Sequence, residues 1–307
     1  MWKTRLKSRL HCVFEEEKDL SPLSALGVGG RVELFAEPSN VEEACSIFCL
    51  RANMGFPLYI LGGGTNVVFP DGKLEGMVLS TRRMTGRRWM TGDDETVLEV
   101  GGGHLLSSVV HETVKEGLSG AEFALGIPGT VGGAAAGNAG AGGRSVGDLL
   151  EEVTTVEADG SLRRWKRGEF EYGYRYFSPA APNRLVALCR LRFRRAARGD
   201  VDCAIGEFRR MRSIQPQGAR SAGCAFKNPP QDSAGRLLDS CGCKGLRVGG
   251  AVVSEAHANF IVNGGNAASG DILQLMALCR DIVFRKTGVR LEPEIKLMGF
   301  PEGLPSF

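Results

Sequence analysis

Two glycine-rich strings offer the first chemistry in this sequence. Gly62-Gly63-Gly64-Thr65-Asn66 directly follows the apolar run Leu58-Tyr59-Ile60-Leu61. About 65 residues further on stands Gly126-Ile127-Pro128-Gly129-Thr130-Val131-Gly132-Gly133, followed by Asn138-Ala139-Gly140. Fixing a glycine costs conformational entropy, so such clusters mark places where backbone must come close to something. Bare N–H groups after a strand suit a pyrophosphate. The first string is not the dinucleotide fingerprint, because G-x-G-x-x-G must open a helix and Pro70 discourages a long one. Two separate glycine loops can grip one extended, doubly phosphorylated cofactor.

The elements that must position these loops follow from periodicity. Val32 to Ala36 reads as a strand stopped by Pro38, and Asn40 can cap a helix from Val41 to Asn53. Gly76 to Ser80 and Thr96 to Val100 are further strands, and Leu105 to Glu116 is an amphipathic helix ended by Gly117. Asp159-Gly160 turns a hairpin between Val153–Ala158 and Leu162–Trp165. Arg184 to Arg194 alternates apolar and basic residues, as a half-exposed strand does. Helices are expected at Val201–Ile214, Ala234–Cys241 and Gly270–Thr287, with a last strand over Val289–Met298. The pattern predicts an α+β chain with a boundary near 196–202. Residues 1–20 read as a loosely held arm, 21–198 as a cofactor domain in two parts (about 21–82 and 83–198), and 199–307 as a smaller second domain.

The composition narrows the class. The 307 residues are 43% apolar and 24% charged, with a net charge of +3, as in an ordinary globular protein. No apolar run reaches the roughly 18 residues that cross a bilayer. The basic start, Met1 to Arg9, has no apolar run after it, so neither a secretory signal nor a membrane partner is expected, and the location read is cytoplasmic. Arginines cluster at 82–88, 190–198 and 209–212. They read either as a solvated basic face or as an attractor of a phosphate-rich ligand. No aromatics interleave them and no nucleic-acid motif is present, which argues against nucleic acid. Nine cysteines without a leader read as reduced thiols, and Cys241 and Cys243 lack the partners of a zinc site.

The string L-G-G-G-T-N-V-V, then G-I-P-G-T-V-G-G-A with N-A-G, resembles the FAD domain of the UDP-N-acetylenolpyruvoylglucosamine reductases. Y-G-Y-R-Y-F-S at 172–178, S-A-G-C-A-F-K-N-P at 221–229, H-A-N-F-I-V-N at 257–263 and L-E-P-E-I at 291–295 match in family order. The resemblance covers about residues 22–299. It implies a two-part FAD-binding domain of the vanillyl-alcohol oxidase type and a C-terminal α+β substrate-binding domain. The short run from Tyr176 into the strand at Arg184 resembles the family's shorter, type II branch.

What the resemblance implies chemically is a two-step reduction serving peptidoglycan synthesis. NADPH passes a hydride to FAD, and reduced flavin passes one to the terminal carbon of the enolpyruvyl ether of UDP-N-acetylglucosamine. A proton then reaches the adjacent carbon to give UDP-N-acetylmuramate. By this likeness Arg175 holds and stabilises the carboxylate with a planar fork, Glu294 hydrogen-bonds the developing charge as a neutral acid, and Cys224 delivers the proton. Cys224 stands where the family usually has serine, and a thiol with a pKa near 8.5 is a far stronger acid than an alcohol. The glycine strings with Thr65, Asn66, Ile127, Pro128, Thr130, Asn138 and Ala139 are expected on FAD. Lys227, Asn228, His257 and Tyr174 are expected on the substrate, with Asn259 beside them on substrate or flavin. Glu292 is expected to face outward. A family threonine before G-V-G-G is missing here, so its hydroxyl contact is either lost or moved to Ser24. The expected partners are small molecules, and the chain is expected to be a monomer. The rival enzyme is a flavin oxidase of the same domain type with another substrate; many attach FAD through His or Cys near the first loop, and 58–70 holds neither. The rival outside enzymology is a basic scaffold on a relict flavin fold.

Overall fold

The structure is a computed structural model that describes residues 2–9, 12–92, 95–216 and 218–300. The chain forms two compact units. One comprises Met1–Glu16, Leu34–Gly63 and Gly76–Arg212; the other comprises Glu17–Glu33, Gly64–Glu75 and Ser213–Phe307. A single cut near 198 is therefore not how the chain divides, because 17–33 and 64–75 fold with the C-terminal residues. Two interactions explain this. Val67–Val68 pairs in parallel with Lys296–Leu297. Leu26, Val28 and Val68 also share an apolar core with Phe226, Ile261 and Leu275.

The first unit is built on an antiparallel sheet in the order Leu162–Lys166, Leu150–Val156, Leu185–Arg195, Glu95–Gly101, Arg87–Thr91, with Leu118–Ser119 also pairing to Leu185–Arg195. The central strand alternates as its sequence predicts. Leu191 and Phe193 are buried, while Arg190 meets Glu99 at 2.7 Å and Arg192 meets Glu151 at 2.9 Å. These arginines form a solvated, ion-paired face. Helices Leu106–Lys115 and Val131–Ala136 contribute Val109, Val110, Val131 and Ala135 to the core on this sheet. Each of these buried valines contributes about 1.5 kcal/mol or more, and the alanine less.

A second sheet runs in the order Val13–Asp19, Arg31–Glu37, Lys73–Ser80, Leu58–Leu61, and the unit division falls within its first three strands. Leu58–Leu61 pairs in parallel with Met77–Ser80, which aims the 62–63 turn off the sheet's end. Helix Val41–Met54 begins at Asn40, whose side chain accepts the Glu43 N–H at 2.8 Å, and ends at Gly55 with φ 72°. The expected loose arm is instead a helix, Trp2–Arg9, and a strand, Val13–Asp19. Leu6 is fully buried and the Trp2 ring stacks on Phe56 at 4.4 Å, which holds the helix down. Residues 1, 10 and 11 of that arm, and 217 and 301–307 of the second domain, lie outside the described residues.

The second unit carries a sheet ordered Ser221–Cys224, Phe260–Asn263, Ala251–Val253, Arg247–Val248, packed by helix Ser269–Thr287. The expected strand over 289–298 shrinks to Lys296–Leu297. Pro293 forms only an isolated antiparallel bridge, opposite Phe226. The segment instead hands its bonds from one neighbour to the next: Lys227 N–H to Glu292 O, Glu294 N–H to Ala225 O, Lys296 N–H to Asn66 O. Among the described residues no helix is long and apolar enough to cross a membrane.

Candidate active site

The two glycine strings meet in the first unit. A Cβ on Gly62 would stand 2.7 Å from Thr130 Oγ1, and one on Gly63 would stand 2.6 Å from Gly129 Cα. Gly63 therefore lies backbone on backbone against Gly129, and Gly62 lies against the Thr130 hydroxyl. Gly126 (φ 72°) and Gly129 (φ 112°) take conformations that L residues avoid. Thr130 caps helix Val131–Ala136, its Oγ1 accepting the Gly133 N–H at 3.3 Å. Gly132 seats that helix on the sheet, since a Cβ there would meet Gly102 Cα and Val186 O at 2.9 Å. Ile127 donates its N–H to Ala124 O. Arg82, expected only as one of a basic cluster, donates to Gly63 O at 2.9 Å; nothing in its sequence context marks this contact.

Asn138-Ala139-Gly140 serves the fold and does not offer the amides expected of it. The Asn138 N–H goes to Ala135 O and the Ala139 N–H to Ala134 O, while Gly140 pairs with Ser145. The Asn138 side chain is buried, donating to Gly173 O at 2.7 Å and accepting from Gly147 N at 2.8 Å. Gly173 opens a hairpin in which Tyr172–Gly173 pairs with Tyr176–Phe177, leaving Tyr174 and Arg175 as the turn. Arg175 has φ 55°, an uncommon setting for a non-glycine residue, and its guanidinium lies 5.2 Å from the centroid of the exposed Tyr174 ring. The half-buried arginine thus sits at the tip of a tied turn.

In the second unit the strand Ser221–Cys224 is bulged, with Gly223 at φ 75° and its partner register shifting between Ser221 and Cys224. A bulge re-aims the side chain beside it. The bulge is what sets the direction of Cys224. The next residue, Ala225, accepts the Glu294 N–H at 2.8 Å, so Cys224 and Glu294 hang from adjoining backbone. Asn66 Nδ2 donates to Glu294 O at 3.1 Å, and Asn66 Oδ1 is buried with no partner among the described residues. The Gly64 carbonyl accepts the Ala25 N–H. Ser24 is used internally, its hydroxyl donating to Val67 O and accepting from Leu26 N.

The residues expected on substrate divide. Lys227 is paired with the outward-facing Glu292 at 3.3 Å. Asn228 Oδ1 accepts the Ala234 N–H at the start of helix Ala234–Ser240. His257 lies edge-on to Phe260 at 4.9 Å, and its Nδ1 accepts the Asn259 N–H. Burial, foremost, holds its pKa below the ordinary histidine value. Asn259 is 2% exposed and directs its side chain to Phe226. No disulfide joins the nine cysteines among the described residues.

Comparison with known proteins decides the family. A family model described as the UDP-N-acetylenolpyruvoylglucosamine reductase C-terminal domain matches residues 215–298, and one described as an FAD binding domain matches 32–166. UDP-N-acetylenolpyruvoylglucosamine reductase 2 of Symbiobacterium thermophilum is 39% identical over 283 residues, covering 92% of this chain and 91% of that protein. The chain belongs to the UDP-N-acetylenolpyruvoylglucosamine reductase family. The family's protein from Syntrophotalea carbinolica is 38% identical, covering 96% and 97% of the two chains. The crystal structure of the reductase from Thermus caldophilus aligns with a TM-score of 0.79 at 34% identity, over 94% of this chain and 99% of that one. The α+β fold is accordingly a flavin domain followed by the reductase family's C-terminal domain, and the family's cofactors are FAD and NADPH.

The residues present fit FAD. Gly63 packed on the Gly129 backbone, with Gly62 beside the Thr130 hydroxyl, leaves a side-chain-poor stretch of main chain of the kind a pyrophosphate approaches. Asn66 Oδ1 is a buried acceptor without a donor among the described residues, and a flavin ring or ribose offers donors.

Proposed function

We propose that this chain reduces the enolpyruvyl ether of UDP-N-acetylglucosamine to UDP-N-acetylmuramate, with NADPH as reductant and FAD as carrier, in peptidoglycan precursor synthesis. One observation carries the reading beyond the family: a thiol and a carboxyl, Cys224 and Glu294, on adjoining backbone inside the segment that matches the reductases' C-terminal domain. FAD, when bound, takes a hydride from NADPH and supplies it to the terminal carbon of the substrate's double bond. Gly62, Gly63, Gly64, Thr65 and Asn66, with Gly126, Ile127, Pro128, Gly129, Thr130, Gly132 and Gly133, hold or frame that cofactor.

The chain's own residues then manage charge and proton. Arg175 binds the substrate carboxylate, a role suited to a permanently charged planar fork held at a hairpin turn. Glu294 donates a hydrogen bond to the carboxylate as negative charge grows on it. Cys224 Sγ–H gives its proton to the carbon that bears the carboxylate, and the thiolate regains one from solvent. Tyr174, Lys227, Asn228 and His257 line the approach of the uridine diphosphate sugar; Lys227 exchanges Glu292 for a phosphate on binding. The enzyme works as a cytoplasmic monomer on small molecules, with neither nucleic acid nor membrane as partner. The test is to load the protein with FAD and follow NADPH oxidation. Oxidation that requires the enolpyruvyl substrate and yields UDP-N-acetylmuramate is expected; a colourless protein that takes up no FAD contradicts the reading.

A further inference from the structure

Cys224 and Glu294 both depend on the path of residues 225 and 226, and that path is not set by a sheet ladder. Regular pairing stops at Cys224 opposite Phe260. Beyond it, one buried side chain takes over. Asn259 Oδ1 accepts the Phe226 N–H at 2.9 Å, Asn259 Nδ2 donates to Phe226 O at 2.8 Å, and the Asn259 carbonyl accepts the Ala225 N–H at 2.7 Å. The carboxamide acts as a missing strand residue, one acceptor and one donor facing the backbone of Phe226. On the near side Gly223 takes φ 75°, while Ala225 and Phe226 are buried in the unit's core, so the Asn259 bonds act on a segment that is already packed. Glu294 inherits the same anchor, because its N–H donates to Ala225 O and Pro293 bridges to Phe226.

We propose that Asn259 is a positioning residue of the second half-reaction: it fixes the distance and direction at which Cys224 and Glu294 are presented, without touching substrate or FAD. This rests on the functional reading above for what Cys224 and Glu294 do. Displacing reacting groups by about 1 Å can cost about 100-fold in rate. Asn259→Ala removes both side-chain bonds to Phe226. Asn259→Asp keeps the acceptor and loses the donor, and guards against a variant that fails to fold.

The holoenzyme and both variants are compared in four measurements: bound FAD, the rate of flavin reduction by NADPH, the rate at which the enolpyruvyl substrate reoxidises the reduced protein, and the rate of Cys224 alkylation by iodoacetamide read from its peptide. FAD content and NADPH reduction are expected at parent levels. Reoxidation is expected to slow about 100-fold in Asn259→Ala and less in Asn259→Asp, with Cys224 alkylation changed in the same order. Unchanged reoxidation and alkylation overturn the proposal. So does a parallel fall of FAD content and both half-reactions in both variants, which marks a general structural role. If the parent takes electrons from NADPH but the substrate does not reoxidise it, the functional reading fails, and the alkylation rates still decide the role of Asn259.

Discussion

The side chain of Asn138 ties down Gly173, its Nδ2 donating to the Gly173 carbonyl at 2.7 Å while its Oδ1 accepts from Gly147 at 2.8 Å. That pair holds the hairpin whose turn is Tyr174-Arg175, and it joins the second glycine region to the arginine expected on substrate. Asn138→Ala leaves the buried Gly147 N–H and the part-buried Gly173 carbonyl without this partner, the first at a cost of about 1–3 kcal/mol and the second less. A lower melting temperature, a raised KM for the enolpyruvyl substrate and unchanged FAD content are expected. An unchanged KM in a folded variant argues that the tie does not position Arg175.

Arg175 itself is held at φ 55°. The left-handed region costs an L residue roughly 1 kcal/mol that glycine does not incur. Arg175→Gly should therefore be more stable than Arg175→Ala by roughly 1 kcal/mol in denaturant titration, while both lose turnover. Equal stability of the two indicates a turn that relaxes to another conformation.

Gly63 has Gly129 Cα only 2.6 Å from where its Cβ would be. Gly63→Ala must push the two loops apart. The expected result is a folded protein with greatly reduced FAD content, read from the flavin's visible absorbance after desalting. Full retention of FAD shows that the seam does not hold the cofactor.

Cys224→Ser is expected to keep substantial turnover, since a hydroxyl can relay a proton as the family's serine does, whereas Cys224→Ala should accept electrons from NADPH and then stall. Stopped-flow mixing of the reduced protein with substrate separates the two. Product formation by the alanine variant at the parent rate removes Cys224 from the mechanism.

How much of this was legible in the sequence depends on whether a residue's partner is local. The glycine strings, the Asn40 cap and the Asp159-Gly160 hairpin were legible because spacing and residue type are the whole signal. Asn138 and Asn259 were expected on ligand because a carboxamide can face a ligand or a distant backbone group equally well; only the fold brings Gly173 and Phe226 to them. The last strand was overdrawn because Leu291 to Ile295 alternates like a strand, whereas its backbone bonds pass from residues 225–227 to Asn66, which no local pattern records. The membership of 17–33 and 64–75 in the second unit rests on pairing across more than 200 residues, between Val67 and Lys296, which no local pattern records.

His257 gives a pH signature. Burial disfavours its imidazolium and lowers its pKa from the ordinary 6.5. As pH falls below 6.5 the unfolded chain takes up a proton that the folded protein resists, so stability is lost from there down to the lowered folded value and is fully present above 6.5. Thermal melts across this range should fall more steeply for the parent than for His257→Gln. Parallel curves place His257 outside this acid-side loss.

Delivery of hydride and proton to an enolpyruvyl ether is visible in a single turnover. The FAD-loaded protein is reduced under anaerobic conditions, freed of excess reductant and mixed with UDP-N-acetylglucosamine enolpyruvate. Rapid return of the oxidised flavin spectrum with one equivalent of UDP-N-acetylmuramate is the predicted result. Flavin that stays reduced, with the substrate recovered intact, rules this reaction out for the chain.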